Sequence, residues 1–173
     1  MTESINTGIV HLGGDKFSLN GTTMALAELI MILELDRAEN LEKQLAVELQ
    51  SMAELNALLK EANQMLALAR QQKGEVEDGG HNHMAPELKE FFQAHDIKQG
   101  VISSDDTNYT HNKEEWETSI ENLKGFIDSL NSRSQLDMIN ISSLLKKRDE
   151  SLTLPSNTNS NIHQTNQGII GKI

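Results

Sequence analysis

The sequence predicts an all-α fold: a long antiparallel helical hairpin of the coiled-coil type, with a small variable helical and loop segment between its arms. Three observations carry that expectation. Residues 22–72 contain no Gly or Pro and consist almost throughout of Ala, Leu, Glu, Gln and Met, the strongest helix formers. From Ala38 onward the apolar positions fall at Leu41, Leu45, Leu49, Met52, Leu55, Leu59, Ala62 and Leu66, eight steps over 28 residues and so a mean spacing of 3.5. That is the heptad period of a coiled coil. Finally, 3% aromatic and 37% hydrophobic residues are thin for a globular core but suit a narrow apolar seam.

Residues 1–21 show no cationic start followed by an apolar run, so they are expected to be a flexible, uncleaved leader rather than a secretory signal peptide. Ile9–Leu12 and Phe17–Leu19 are short extended candidates within it, separated by Gly13 and Gly14. Asn20 and Gly21 offer a turn, and Thr22 and Thr23 offer an N-cap hydroxyl for the first long helix, residues 22–73. As one continuous helix this stretch would be about 75 Å long, and a rod of that length needs a second helix to cover its seam. Its first turns, Met24 to Leu35, are apolar on nearly every face. They are too short to span a bilayer, which takes about 20 apolar residues. A helix apolar all round is enclosed by several neighbours. Leu26, Ile30 and Leu33 are therefore expected to meet other copies of the chain, or else to sit in a locally thicker core.

Lys73 and Gly74, then Asp78, Gly79 and Gly80, end the rod. Residues 74–112 form an acidic middle: from 75 to 121 there are twelve acidic against three basic residues, within an overall net charge of −11. Such a surface repels nucleic acid and anionic membranes, so nucleic acid is not expected as a partner. Pro86 opens a short amphipathic helix, residues 86–95, with Leu88, Phe91 and Phe92 on one side. A second rod is expected over residues 113–154. Its stripe runs Trp116, Ile120, Leu123, Ile127, Leu130, Ser134, Met138, Ile141, Leu145 and Leu152. The steps from Leu130 to Ile141 run four, four and three, which shifts the register as an eleven-residue repeat would. Pro155 is expected to break or kink the helix. Residues 155–173, with Ile162, Ile169, Ile170 and Ile173, then form a tail that is helical only on assembly.

The candidate chemistry is sparse. His81, His83 and His95 with Asp105 or Asp106 would be needed for a metal-dependent hydrolase, and His111 lies further on. No cysteine and no convincing carboxylate spacing joins them, so solvated loop histidines are the expectation. The chain is expected to be no enzyme and to hold no metal or cofactor.

The order of a polar leader, an apolar first helix passing into a heptad rod, an acidic middle and a C-terminal rod resembles the EspA-like filament and needle-tip proteins. These are the hydrophilic translocators of bacterial type III secretion systems. The local likenesses are Ala85-Pro86-Glu87-Leu88-Lys89-Glu90-Phe91-Phe92 and Ser134-Gln135-Leu136-Asp137-Met138-Ile139-Asn140-Ile141-Ser142. The resemblance implies a chain exported unfolded, directed by its N-terminus and held beforehand in the cytoplasm by a dedicated chaperone. Outside the cell it would self-assemble into a filament or tip, meeting the secretion needle and pore-forming translocators and conveying effectors to a host membrane. Assembly would use the two terminal helical segments, and the terminal Ile169, Ile170 and Ile173 would join Leu26, Ile30 and Leu33 in subunit contacts. The polar stretch from Pro155 to Gln167 departs from the continuous C-terminal helix of that family, and the compact middle leaves little room for a large inserted domain. The alternative is a cytoplasmic coiled-coil adaptor or secretion chaperone, with Met24–Leu35 as its client groove.

Overall fold

The structure is a computed structural model that describes residues 8–100 and 110–170, with side chains as far as Thr153. Its elements in chain order are β1 (Ile9–Gly13), β2 (Lys16–Leu19), β3 (Thr22–Ala25), α1 (Leu26–Glu75), β4 (Asn82–His83), α2 (Pro86–Ala94), β5 (Thr110–His111) and α3 (Lys113–Ile170). The all-α expectation is thereby overturned. Helix dominates, but β1, β2 and β3 form a three-stranded antiparallel sheet, and β4 pairs with β5 in a second, two-stranded one.

The physical reason lies in two turns. Asn20 and Gly21 both take left-handed backbone angles, with φ of 50° and 86°. They connect Leu19 directly to its strand partner Thr22. A two-residue loop with both residues at positive φ has the twist of a hairpin turn. Thr22 and Thr23 therefore enter a strand instead of capping the helix. At the other turn the His11↔Phe17 pair is followed, after a bulge, by Gly13↔Lys16. The His11 ring lies 4.8 Å from that of Phe17, and its Nε2 donates to the Gly14 carbonyl at 3.0 Å. The expected leader thus contains a β-meander from residue 9 onward, and α1 starts four residues later than expected. Glu28 Oε2 accepts from the Ala25 amide at 3.0 Å, the reach-back half of a capping box.

The chain falls into two compact units, one of residues 1–48 with 140–173 and one of residues 49–139. In the second unit, Lys73 at the end of α1 meets Glu117 near the start of α3 at 3.3 Å, so the two helices run antiparallel. Its core gathers Leu55, Ala62, Leu66 and Ala69 of α1 with Trp116, Ile120, Leu123, Ile127 and Leu130 of α3. Leu88, Phe91 and Phe92 of α2 close it, with Met84 before them. Pro86 stands in the first turn of α2, where its missing N–H has no intrahelical role. At the far end Asp96 takes φ of 52°, and the Ile97 amide returns to the Phe92 carbonyl at 2.9 Å, a left-handed helix stop. The next residues are fastened to α3, where Gly100 N donates to Ser119 Oγ at 2.8 Å and Asn122 Nδ2 to the Lys98 carbonyl at 2.9 Å.

A polar clasp of four hydrogen bonds joins α1, β4, the residue before α2, and α3 in this unit. Trp116 Nε1, on a side chain without solvent exposure, donates to Asn82 Oδ1 at 2.6 Å. Asn82 Nδ2 donates to the Gln72 carbonyl at 2.7 Å, one of the last four carbonyls of α1, which have no partner within the helix. Gln72 Nε2 in turn donates to the His83 carbonyl at 3.2 Å, and its Oε1 accepts from the Ala85 amide at 3.1 Å.

Both long helices keep strict heptads. In α1 the buried or half-buried column runs through Ala38, Leu41, Leu45, Glu48, Met52, Leu55, Leu59, Ala62, Leu66 and Ala69. In α3 it runs through Trp116, Ile120, Leu123, Ile127, Leu130, Ser134, Asp137, Ile141, Leu144, Arg148 and Ser151. Four expected stripe residues therefore fall one position outside it: Leu49 is 50% exposed, Met138 55% and Leu152 46%, while Leu145 is half-buried beside Leu144. The reason is geometric, because a helix that stays at 3.5 residues per turn cannot take the shift that following the apolar residues would need. Beyond Thr153, α3 continues through Pro155 to Ile170, with no break at the proline. A proline removes one backbone donor, here the one that would bond the Ser151 carbonyl, and the helix resumes beyond it.

Candidate assembly surfaces

The expected contact residues sit on a partly covered stretch of α1. Leu29 is 4% exposed, and Ile30 and Leu33 are half-buried, so part of the apolar belt serves the local fold. Leu26, Met31, Ile32 and Leu35 remain exposed. Of the expected set, Leu26 is thus displayed while Ile30 and Leu33 are shared between fold and surface. Met31, Ile32 and Leu35 were not singled out by sequence reasoning, because a belt apolar on every face gives no phase to choose from. Ile169 and Ile170 fall at the end of α3, and Ile173 lies outside the described residues.

Further along α1, in the first unit, an open groove of about 340 Å³ is lined by Gln44, Val47, Glu48, Asn140, Ser143, Leu144 and Lys147. Charges here are arranged in local pairs. Lys43 and Glu39 meet at 2.8 Å, and that hydrogen bond, with the accompanying charge, lowers the Glu39 pKa and raises that of Lys43. Arg148 bonds Asp149 at 2.8 Å, which raises its own pKa, with a smaller push from Glu42. Glu39, Lys43 and Asp149 stand in solvent and Arg148 is half-buried, and surface pairs of this kind contribute little to stability.

The candidate metal residues do not converge. His81 and His83 are exposed, whereas His95 and His111 are packed against rings, which corrects the view of all four as solvated. His95 stacks between Phe91 and Phe126 at 4.5 and 5.3 Å. His111 is fully buried against Trp116 at 4.7 Å. Among the described residues no group of three His, Cys, Asp or Glu side chains is placed to hold a metal ion; Asp105 and Asp106 lie outside them, as does Tyr109. A second open groove, of about 310 Å³, runs past Glu77, His81 and Glu114. Beside it Lys113 Nζ bonds Asp78 Oδ1, which holds the Asp78 carboxyl below its usual range. Among the described residues no helix is long and apolar enough to cross a membrane.

What this arrangement offers chemically is contact area: apolar side chains held at the surface of long helices. Compared with protein families, with curated proteins and with solved structures, the chain matches none.

Proposed function

We propose that the chain is a structural subunit that assembles with copies of itself into an extracellular filament or needle tip of a bacterial type III secretion system. In that role it conveys translocators and effectors to a host membrane. The observation that carries the reading is the display of Leu26, Met31, Ile32 and Leu35 at the start of α1, four large apolar side chains each 39–51% exposed on a helix that continues for 50 residues. Large apolar side chains exposed on successive turns of one helix point to a contact surface, and a helix of this length presents them for repeated lateral packing. Before export, a dedicated chaperone covers the same face.

The test is a concentration series of purified protein followed by light scattering and negative-stain electron microscopy, beside a Leu26→Asp variant. Aspartate suits the first turn of a helix, so the fold is spared while the exposed apolar turns at the start of α1 gain a charge. Wild-type protein is expected to grow with concentration into rods or tubes, and the variant to stay small. A fixed small oligomer at every concentration would instead favour the adaptor or chaperone reading.

A further inference from the structure

The distal half of α3 contains two seams. The occupied one uses Ser134, Asp137, Ile141, Leu144, Arg148 and Ser151, alternating steps of three and four. A second one shares Ser134, Ile141 and Arg148 but replaces Asp137, Leu144 and Ser151 by their next neighbours Met138, Leu145 and Leu152. The steps of that set also alternate, four and three. The alternative column is therefore Met, Leu, Leu and the occupied one Asp, Leu, Ser, with Leu145 already at the boundary and half-buried like Leu144. In the occupied phase Asp137 Oδ2 and Ser151 Oγ are buried with no hydrogen-bond partner, an unfavourable state for any polar atom. Leu152 meanwhile is 46% exposed. Each unit of the structure repeats the conflict independently, at Asp137/Met138 in one and at Ser151/Leu152 in the other.

We infer that distal α3 is a two-state element that turns about its own axis when the chain assembles, carrying Met138, Leu145 and Leu152 into the seam and releasing Asp137 and Ser151 to water. One residue of a coiled-coil helix subtends about 103°, and retaining the shared column makes the turn half of that, about 50°. In the free chain the polar phase is held by the residues upstream. Trp116, Ile120, Leu123, Ile127 and Leu130 are all buried at heptad spacing, and changing phase requires two successive steps of four, a local unwinding at Leu130–Ser134–Met138. Neighbouring copies supply the packing that offsets this unwinding. The inference rests on the assembly reading above and adds to it a conformational step.

The chain has no cysteine, so single cysteines report the phase directly. Ser151→Cys and Leu152→Cys proteins are treated with a soluble thiol reagent before and after assembly. The free chain is expected to label rapidly at position 152 and slowly at 151, and assembled material in the reverse order. Protection of both positions after assembly would mean that the stripe is simply covered, and would overturn the rotation. An unchanged order would overturn it equally. A Ser151→Leu protein provides the second measurement: filling the occupied column is expected to raise the urea midpoint of the free chain and to slow its growth. Growth at the wild-type rate despite a raised midpoint would also sink the inference. If wild-type protein fails to grow at any concentration, the assembly reading itself falls and takes this step with it.

Discussion

Replacing Asn82 by Ala removes both hydrogen bonds of that side chain in the polar clasp at once. The indole N–H of Trp116 loses its 2.6 Å acceptor on a side chain with no solvent exposure, and an unsatisfied buried donor costs about 1–3 kcal/mol. The Gln72 carbonyl loses its 2.7 Å donor, a net loss of about 1 kcal/mol. Together the unit of residues 49–139 should lose about 2–4 kcal/mol. At a urea dependence of about 2 kcal/mol per molar, its unfolding midpoint should fall by about 1–2 M. Trp116 is the only tryptophan, so its fluorescence follows this unit without labelling. A double-mutant cycle then isolates the hydrogen bond. In a Trp116→Phe background, followed by circular dichroism, Asn82→Ala should cost only about 1 kcal/mol, since phenylalanine has no donor to strand. An equal cost in both backgrounds would show that the indole does not depend on Asn82 and refute the reasoning.

Three other outcomes follow from the same packing. Gly100→Ala would place a Cβ 2.2 Å from the Glu115 carbonyl oxygen and 2.6 Å from Thr118 Cβ; the segment must lift from α3, with a loss of about 1–3 kcal/mol of stability read as a lowered urea midpoint. Leu55→Asp puts a carboxylate at a position only 6% exposed and should cost several kcal/mol; an unchanged thermal midpoint would disprove the seam in that unit. Asp78, whose pKa the Lys113 hydrogen bond lowers, adds stability above the ordinary carboxylate value of about 3.9 and loses it as pH falls through the lowered one. The small deficit of Asp78→Asn should thus be constant at neutral pH, shrink below about pH 4 and narrow with added salt.

The helices were legible because their signals are local and repeated: the run without Gly or Pro in α1, and Pro86 before an amphipathic turn in α2. The phase of the seam was legible only in part. Leu49 and Met138 drew the expected stripe toward themselves because they are the more apolar members of their pairs, yet Glu48 and Asp137 take the seam positions. Phase belongs to the whole helix, and one apolar side chain cannot reset it. The β-meander was obscured by size, since strands of four or five residues give no run of alternation long enough to distinguish from loop. Asn20-Gly21 was the available signal, and it was read as a helix start because a helix does follow, one short strand later. The clasp left no trace in the sequence, since Gln72, Asn82 and Trp116 are joined by side-chain geometry and not by spacing.

The meander brings a liability of its own. Among the described residues β1 pairs with β2 on one side only, and Ile9, Val10 and Leu12 along it are exposed, with no charged residue among its five. An uncharged apolar edge of this kind is a template for strand addition, which offers a second route to polymer, unrelated to helix packing. Material grown by that route would show the 4.7–4.8 Å cross-β spacing and seed further growth when fragmented, whereas polymer built from α1 and α3 would keep a helical spectrum. A lysine at Val10, a gatekeeper charge of the kind natural edge strands carry, should suppress the first kind of growth and leave the second intact.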